Sequence, residues 1–208
     1  MEIKIRSDSV EISGYVNAIE RNSKPLMSRI GRFVERICKG AFSNALNRND
    51  DVHVLLNHDW ARDLGSTKKG NLELKEDSIG LHARAVITDS DVIEDARNGN
   101  LVGWSFGFED IDGGVERGVD GETGLPLRKL RDLNLHEVSI LNKLKTPAYD
   151  GTLIMARADD NEVFFGEAFL DDVQIREETP QETQETPVDY SKFDRIIEEM
   201  KFNTDTKV

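Results

Sequence analysis

The segment at residues 101–109 (LVGWSFGFE) alternates large apolar residues with glycine and serine. Successive side chains of a β-strand point to opposite faces, so this pattern predicts a strand with two very different sides. One side carries the large residues, namely Val102, Trp104, Phe106 and Phe108. The other side carries Gly103, Ser105 and Gly107. The side with the large residues must be buried in a hydrophobic core. This pattern indicates a β-rich globular domain.

A second alternating segment covers residues 129–141 (KLRDLNLHEVSIL). We expect one face of this strand to hold Leu133, Leu135, Glu137, Ser139 and Leu141. The opposite face would hold Asn134, His136, Val138 and Ile140. On this assignment, Glu137 is buried among leucines. A buried carboxylate without a partner is costly, so Glu137 needs a histidine or an arginine beside it.

The remaining pattern predicts many short strands and few helices. Strands are expected near the N-terminus and at 32–37, 52–56, 71–74 and 80–87. Helices are expected at 40–47 and 88–98, the second capped by Asp89 or Ser90 and ended by Gly99. Residues 19–28, the segment after Asp59 and residues 110–128 are expected to be loops. This content indicates an α+β domain that is mostly antiparallel, barrel-like or a sandwich.

Charge and composition exclude several classes of protein. The net charge is −13, and the last 52 residues hold 15 acidic and 6 basic residues. Such a chain would be repelled by nucleic acid. No apolar run approaches a membrane span, and the N-terminus lacks the apolar region of a secretory signal. The single Cys38 cannot form an internal disulfide, which agrees with a reducing cytoplasm.

The C-terminal part divides by composition. Residues 1–156 are expected to form the main domain, and 157–175 a C-terminal extension. Residues 176–189 (REETPQETQETPVD) lack apolar content apart from one valine, which predicts an acidic disordered linker. In residues 190–208, a short amphipathic helix is expected before the end. We expect residues beyond about 157 to be dispensable for any chemistry that the main domain carries.

Three segments could carry chemistry. His58 lies just past the apolar strand at 52–56, where it could act as a general base or be structural. Ser105 has a glycine two residues before it and another two residues after it. These glycines could leave the Ser105 oxygen accessible and let a substrate backbone approach, or they could let another element of the fold pack closely. Glu137 could orient the histidine or form a structural salt bridge. Serine, histidine and carboxylate together are the components of a nucleophilic triad.

A metal site is the rival interpretation. His53, His58, Asp59 and His82 are candidate ligands. His53 and His58 are five residues apart and would face opposite sides, and no HExxH motif or cysteine pair is present. The expectation is therefore that the protein uses no metal and no other cofactor.

The order and spacing of these segments resemble the tailed-phage prohead serine proteases, relatives of the herpesvirus assemblin proteases. The resemblance covers residues 9–150 and rests on the following segments: GYVNAIE at 14–20, FVERICKGAFSNAL at 33–46, VHVLLNHD at 52–59, NLELKEDSIGLHARAVI at 71–87, DSDVIEDARNGNLVGWSFGF at 89–108 and LNLHEVSILNKLKTPAYDGT at 133–152.

The resemblance implies a herpesvirus-protease-like fold, a small antiparallel β-barrel with a few surrounding helices. It implies that residues 1–156 are a prohead serine protease domain with Ser105 as nucleophile and His58 as base. The herpesvirus relatives use a second histidine as third member, which would correspond to His136. The phage proteins typically show the glutamate of the EVS motif, here Glu137, and we favour Glu137. The oxyanion donors would lie in the loop at 142–147, where this sequence departs from the usual family pattern.

The function implied by the resemblance is cleavage of scaffold or capsid-protein segments, and of the protease itself, inside the prohead. The expected partners are the major capsid protein, the scaffold protein and a second copy of the chain in a homodimer. The expected location is the host cytoplasm, packaged within the prohead. An alternative function is that of an inactive homologue that acts as a scaffold or assembly protein.

Overall fold

A computed structural model describes residues 1–28, 31–143, 163–165 and 174–177, with only the backbone described for 163–165. The protein is mostly β with two helices among these residues. The strands are β1 (Glu2–Ile5), β2 (Val10–Ala18), β3 (Leu26–Ser28), β4 (Gly31–Ile37), β5 (His53–Leu56), β6 (Asp59–Ser66), β7 (Leu72–Glu76), β8 (Gly80–Ile87), β9 (Leu101–Asp110), β10 (Val115–Val119), β11 (Pro126–Leu130), β12 (Leu133–Asn142), β13 (Val163–Phe165) and β14 (Gln174–Glu177). The helices are α1 (Ala41–Arg48) and α2 (Ser90–Arg97).

The strands form three sheets. The first has the order β14-β1-β2-β8-β7, the second β10-β11-β4-β3 and the third β13-β9-β12-β5-β6. Most pairs are antiparallel, but β12 runs parallel to β5, β11 parallel to β4 and β14 parallel to β1. The mostly-β class is therefore confirmed. The described strands form open sheets, and the closed barrel that the resemblance implied is not found among them.

The predicted strand at 101–109 forms β9, and it anchors the core as expected. Trp104, Phe106 and Phe108 are each no more than 1% exposed. Phe106 meets the ring of Phe42 from α1 edge-on, with ring centroids 5.3 Å apart. Edge-to-face packing of this kind adds to the free energy gained by burial.

The predicted helices at 40–47 and 88–98 are present as α1 and α2, and both begin at recognisable caps. The Asp89 side chain accepts hydrogen bonds from the backbone N–H groups of Asp91 and Val92, which caps α2 as the sequence indicated. The N-cap residue of α1 is Gly40, which has no side chain to cap the helix. Instead, the distant carboxylate of Glu76 accepts from the N–H groups of Gly40 and Ser43 at 2.6 Å each. A carboxylate at a helix N-terminus also interacts favourably with the helix dipole.

Four sequence-based boundaries were wrong. The predicted loop at 19–28 ends in strand β3. The segment after Asp59 is not a loop but strand β6, and residues 110–128 contain β10 and most of β11. The predicted single strand at 129–141 is divided between β11 and β12. Strands β6 and β10 carry few buried apolar residues, so periodicity could not reveal them. They form because neighbouring backbones offer hydrogen-bonding partners, and Glu116 of β10 pairs with Lys129 and Arg131 across the hairpin.

Two strands lie beyond residue 156 in the described part of the chain. Strand β13 pairs with β9 at Gly107–Glu109, and β14 pairs with β1 along its length. The sheets therefore include parts of the segments predicted as an extension and as a linker. The rest of the predicted linker and the predicted short helix within 190–208 lie outside the described residues. No helix in the described part of the chain is long and apolar enough to cross a membrane.

Candidate active site

The hairpin between β5 and β6 presents His58 on a two-residue turn. Asn57 and His58 both have positive φ, 56° and 59°. Two successive left-handed residues are typical of a type I′ turn, which matches the twist of the flanking strands. Asparagine tolerates this conformation better than most residues, whereas histidine held there needs support from its surroundings.

That support comes from the end of β12. The backbone N–H of Asn57 donates to the Ile140 carbonyl at 2.9 Å. The Asn57 amide donates to Asn142 Oδ1 at 2.8 Å and accepts from the Asn142 backbone N–H at 3.1 Å. Asn142 in turn donates to Asp95 of α2 at 2.7 Å. The turn is thereby fixed to a strand and, through that strand, to a helix.

The imidazole of His58 meets Glu137. Its Nδ1 lies 2.7 Å from Glu137 Oε1, and the Glu137 side chain is only 2% exposed. An ionised carboxylate can only accept a hydrogen bond, so Nδ1 carries the proton. In the neutral ring, Nε2 is then the basic nitrogen, which is the tautomer that a general base requires.

Ser139 joins this pair. Its hydroxyl donates to Glu137 Oε2 at 2.6 Å and accepts from the backbone N–H of His58 at 2.9 Å. Ser139 is fully buried. Each oxygen of the Glu137 carboxylate therefore has its own donor.

A β-bulge decides which way Glu137 points. Leu135 pairs with Phe108 of β9 and Glu137 pairs with Gly107, so His136 is an extra residue in β12. Directly paired residues lie on the same side of a sheet. Leu135 therefore faces the core with the aromatic residues, whereas Glu137 and Ser139 face the side of Gly107 and Ser105. The predicted face shared by Leu135 and Glu137 was wrong, because strict alternation fails at a bulge.

Ser105 lies on β9 directly opposite Ser139 of β12. Cβ atoms of directly opposed residues are about 4.5–5.5 Å apart in an antiparallel pair, so Ser105 adjoins the His58–Glu137–Ser139 cluster. Ser105 is only 3% exposed, which differs from the accessible oxygen expected from its flanking glycines. The space beside Gly107 is filled as well, since a Cβ there would lie 2.4 Å from Glu137 Oε1. This glycine makes room for a carboxylate rather than for a substrate backbone.

The other candidates lie elsewhere. His136 Nε2 is 3.1 Å from Glu109 Oε2, so His136 pairs with Glu109 while Glu137 pairs with His58. His53 lies between Asp51 and Asp63, and His82 packs against Tyr15. No group of three or more histidine, cysteine or carboxylate side chains able to hold a metal ion occurs among the described residues.

Part of the predicted oxyanion loop is described. The backbone N–H groups of Asn142 and Lys143 donate to Asn57 Oδ1 and to the Asn100 carbonyl, so both are already engaged. Residues 144–147 lie outside the described residues. Within the described part of this loop, neither backbone N–H is therefore open to an oxyanion.

Sequence reasoning missed the supporting residues Asn57, Asn142 and Asp95, and it gave Ser139 no role. A cavity of about 470 Å³ beside the His58 turn is lined by all three of the former. The one local signal was Asn57, because asparagine is favoured at the first central position of a type I′ turn, whereas histidine is not a usual second residue. The contact between Asn57 and Asn142 spans 85 residues, and the contact between Asn142 and Asp95 spans 47, and no local pattern records separations of this size.

A comparison with known families identifies the group of proteins to which the chain belongs. The sequence model of the caudovirus prohead serine proteases matches residues 1–164 of the 208-residue chain. The chain belongs to this family. No curated protein matches it significantly. The resemblance seen in the sequence is thus confirmed, and membership places the chain among serine peptidases associated with phage capsids.

Proposed function

We propose that this prohead protease family member is an active serine endopeptidase, with Ser105 as nucleophile, His58 as general base and Glu137 as the orienting carboxylate. One observation carries the proposal: His58 Nδ1 lies 2.7 Å from Glu137 Oε1, which leaves Nε2 as the basic nitrogen of the ring. A serine hydroxyl becomes a useful nucleophile only when such a base removes its proton.

The proposed reaction follows from these roles. His58 Nε2 takes the proton of Ser105 Oγ as the oxygen attacks the scissile carbonyl carbon. Collapse of the tetrahedral intermediate breaks the C–N bond, and His58 returns the proton to the leaving amine. Water then attacks the acyl-serine ester while His58 takes its proton. The ester C–O bond breaks, and His58 returns that proton to Ser105 Oγ. Glu137 remains ionised throughout and stabilises the imidazolium.

The proposed substrates are scaffold or capsid-protein segments and the chain itself, in keeping with the family. Cleavage would take place within the prohead, in the host cytoplasm. Hydrolysis of the scaffold in a closed shell is irreversible, which would commit the particle to maturation. A homodimer is part of the same proposal.

The test uses two readouts on the full chain. A fluorophosphonate probe, which phosphonylates activated serines, should label the protein at Ser105, as located by mass spectrometry of the digested product. Mass spectrometry of the purified chain should also show self-cleavage. Ser105→Ala and His58→Ala should each abolish both, since triad members act as a unit. Self-cleavage by Ser105→Ala at the parent rate would exclude the assignment.

The burial of Ser105 favours testing the alternative of an inactive scaffold or assembly protein. If that alternative holds, the parent protein is neither labelled nor self-cleaved, and Ser105→Ala assembles proheads normally. If the protease proposal holds, Ser105→Ala proheads assemble but their proteins stay unprocessed.

A further inference from the structure

We infer that Ser139 is a positioning residue of the catalytic site, which fixes both the base and its orienting carboxylate through a single hydroxyl group. The inference rests on the proposed function. It concerns a residue that would act through His58 and Glu137 without touching the substrate.

The geometry gives Ser139 two tasks at once. Its oxygen accepts the backbone N–H of His58 at 2.9 Å, and its proton goes to Glu137 Oε2 at 2.6 Å. The first contact holds the left-handed residue at the tip of the hairpin. The second, together with His58 Nδ1 on Oε1, leaves the carboxylate a single orientation.

The same contacts distinguish the two serines on this face of the sheet. Ser139 and Ser105 are directly opposed across β12 and β9. The proton of Ser139 is donated to Glu137, so Ser139 has no proton to give to His58 Nε2. A hydroxyl bonded in this way supports the triad but cannot be its nucleophile.

Burial makes the hydroxyl important. Ser139 is 0% exposed and Glu137 is 1% exposed, so water cannot readily replace a lost donor. A hydrogen bond to the charged form of an acid favours that form. Without the Ser139 hydroxyl, the coupled His58–Glu137 pair should bind a proton at higher pH. A protonated pair cannot act as base, so the acid limb of the rate profile should move to higher pH.

The experiment measures the second-order rate of fluorophosphonate labelling of the full chain from about pH 5 to pH 9, a range that brackets histidine titration. For Ser139→Ala we expect a rate about 10–100-fold lower, equivalent to losing one hydrogen bond to a charged group. We also expect the pH of half-maximal rate to rise. Thermal unfolding of each variant reports whether it is folded.

Ser66→Ala is the matched control. Ser66 is also 0% exposed and its hydroxyl also accepts a backbone N–H, that of Lys69 at 3.2 Å. It lies at the far end of β6 from His58, so its loss should lower stability without moving the pH profile. If Ser139→Ala does not fold, Ser139→Cys gives the same test with a weaker donor and a smaller expected shift.

Each result has a defined meaning. A folded Ser139 variant with the parent's pH profile, at either the parent's rate or a lower one, overturns the inference, since a merely structural residue would leave the profile in place. The proposed function is tested separately by Ser105→Ala. If Ser105→Ala is not labelled and Ser139→Ala behaves as the parent, only the role of Ser139 is refuted. If Ser105→Ala is labelled as fast as the parent, the protease assignment itself fails.

Discussion

Glu137 and His58 are 79 residues apart in the chain, yet Glu137 Oε1 lies 2.7 Å from His58 Nδ1. Two features of the fold produce this contact. The bulge at His136 turns Glu137 away from the core, and the type I′ turn brings His58 over the same face of the sheet. The contact therefore depends on backbone geometry at both ends.

The first prediction concerns the orienting role of Glu137. Glu137→Gln should lower the rate of cleavage or probe labelling by about 10²–10⁴-fold, because the amide cannot stabilise the imidazolium as a carboxylate does. Ser105→Ala should lower it further, to no detectable cleavage or labelling, because the reacting atom is lost. His136→Ala is the control and should have a mild effect, since His136 pairs with Glu109. A greater loss in His136→Ala than in Glu137→Gln would reverse the choice of third member.

The second prediction concerns the space at Gly107. A Cβ there would lie 2.4 Å from Glu137 Oε1, and that carboxylate is held at both oxygens, so it cannot turn aside. We expect Gly107→Ala to cost about 1–3 kcal/mol in the free energy of unfolding, as overpacking does. It should also displace Glu137 and reduce labelling more than tenfold.

Gly118 provides the matched control, because a Cβ at this exposed strand position meets nothing within 4 Å. The free energy of unfolding of Gly118→Ala, measured in urea, should stay within about 0.5 kcal/mol of the parent's. Equal stability of the two alanine variants would show that the carboxylate is free to move.

The third prediction separates the two contributions of Asn57 to the turn. Asn57→Gly keeps the φ of 56° accessible but loses the hydrogen bonds to Asn142. Asn57→Ala loses the same bonds and adds the cost of a left-handed alanine, about 1 kcal/mol. In urea unfolding, the parent should therefore be more stable than Asn57→Gly, and Asn57→Gly more stable than Asn57→Ala. An alanine variant more stable than the glycine variant would mean that the turn relaxes to another conformation.

The fourth prediction concerns pH and Glu35 of β4, which is 7% exposed. Desolvation by burial, partly offset by the Arg128 guanidinium and reinforced by Asp110, raises the pKa of Glu35 from 4.5 to about 7. Between these two values the folded state binds more protons than the unfolded state. The stabilisation is therefore fully present below the unfolded pKa and is lost as the pH rises through the folded one.

The raised pKa of Glu35 corresponds to at most about 3 kcal/mol in the free energy of unfolding. Glu35→Gln mimics the protonated side chain, so urea unfolding should give similar stabilities for the variant and the parent near pH 5, where the protonated form dominates in the folded state. At about pH 8 the variant should be the more stable of the two. A parent that gains stability relative to Glu35→Gln between these pH values would show that Arg128 keeps Glu35 ionised.

The fifth prediction concerns the end of the catalytic domain. A chain ending at Glu178 keeps β13 on β9 and β14 on β1, so it should unfold at the same temperature as the full chain and be labelled equally fast. A chain ending at Ala156 loses both strands and should unfold at a lower temperature. Equal thermal stability and labelling of the two would support the sequence-based expectation that everything beyond about residue 157 is dispensable for catalysis.

The sequence by itself determined the β-rich class, the helices α1 and α2 and the residues that carry the candidate chemistry. The alternation in residues 101–109 predicted β9 because burial of Trp104, Phe106 and Phe108 imposes a period of two. Asp89 predicted the start of α2 because capping is a contact between neighbours in the chain. Patterns of this kind are local, so one segment contains all the information needed.

Only the tertiary structure decided how those residues meet. The bulge at His136 reversed the face expected for Glu137, because a bulge is defined by the register against β9 and not by the sequence of β12 alone. Ser139 acquired its two contacts, and Asn142 its place beside Asn57, through pairings between distant strands. Strands β6 and β10 formed with little apolar pattern because the energy of a sheet comes largely from its neighbours. Contacts between distant segments are fixed by the whole fold, which no local pattern encodes.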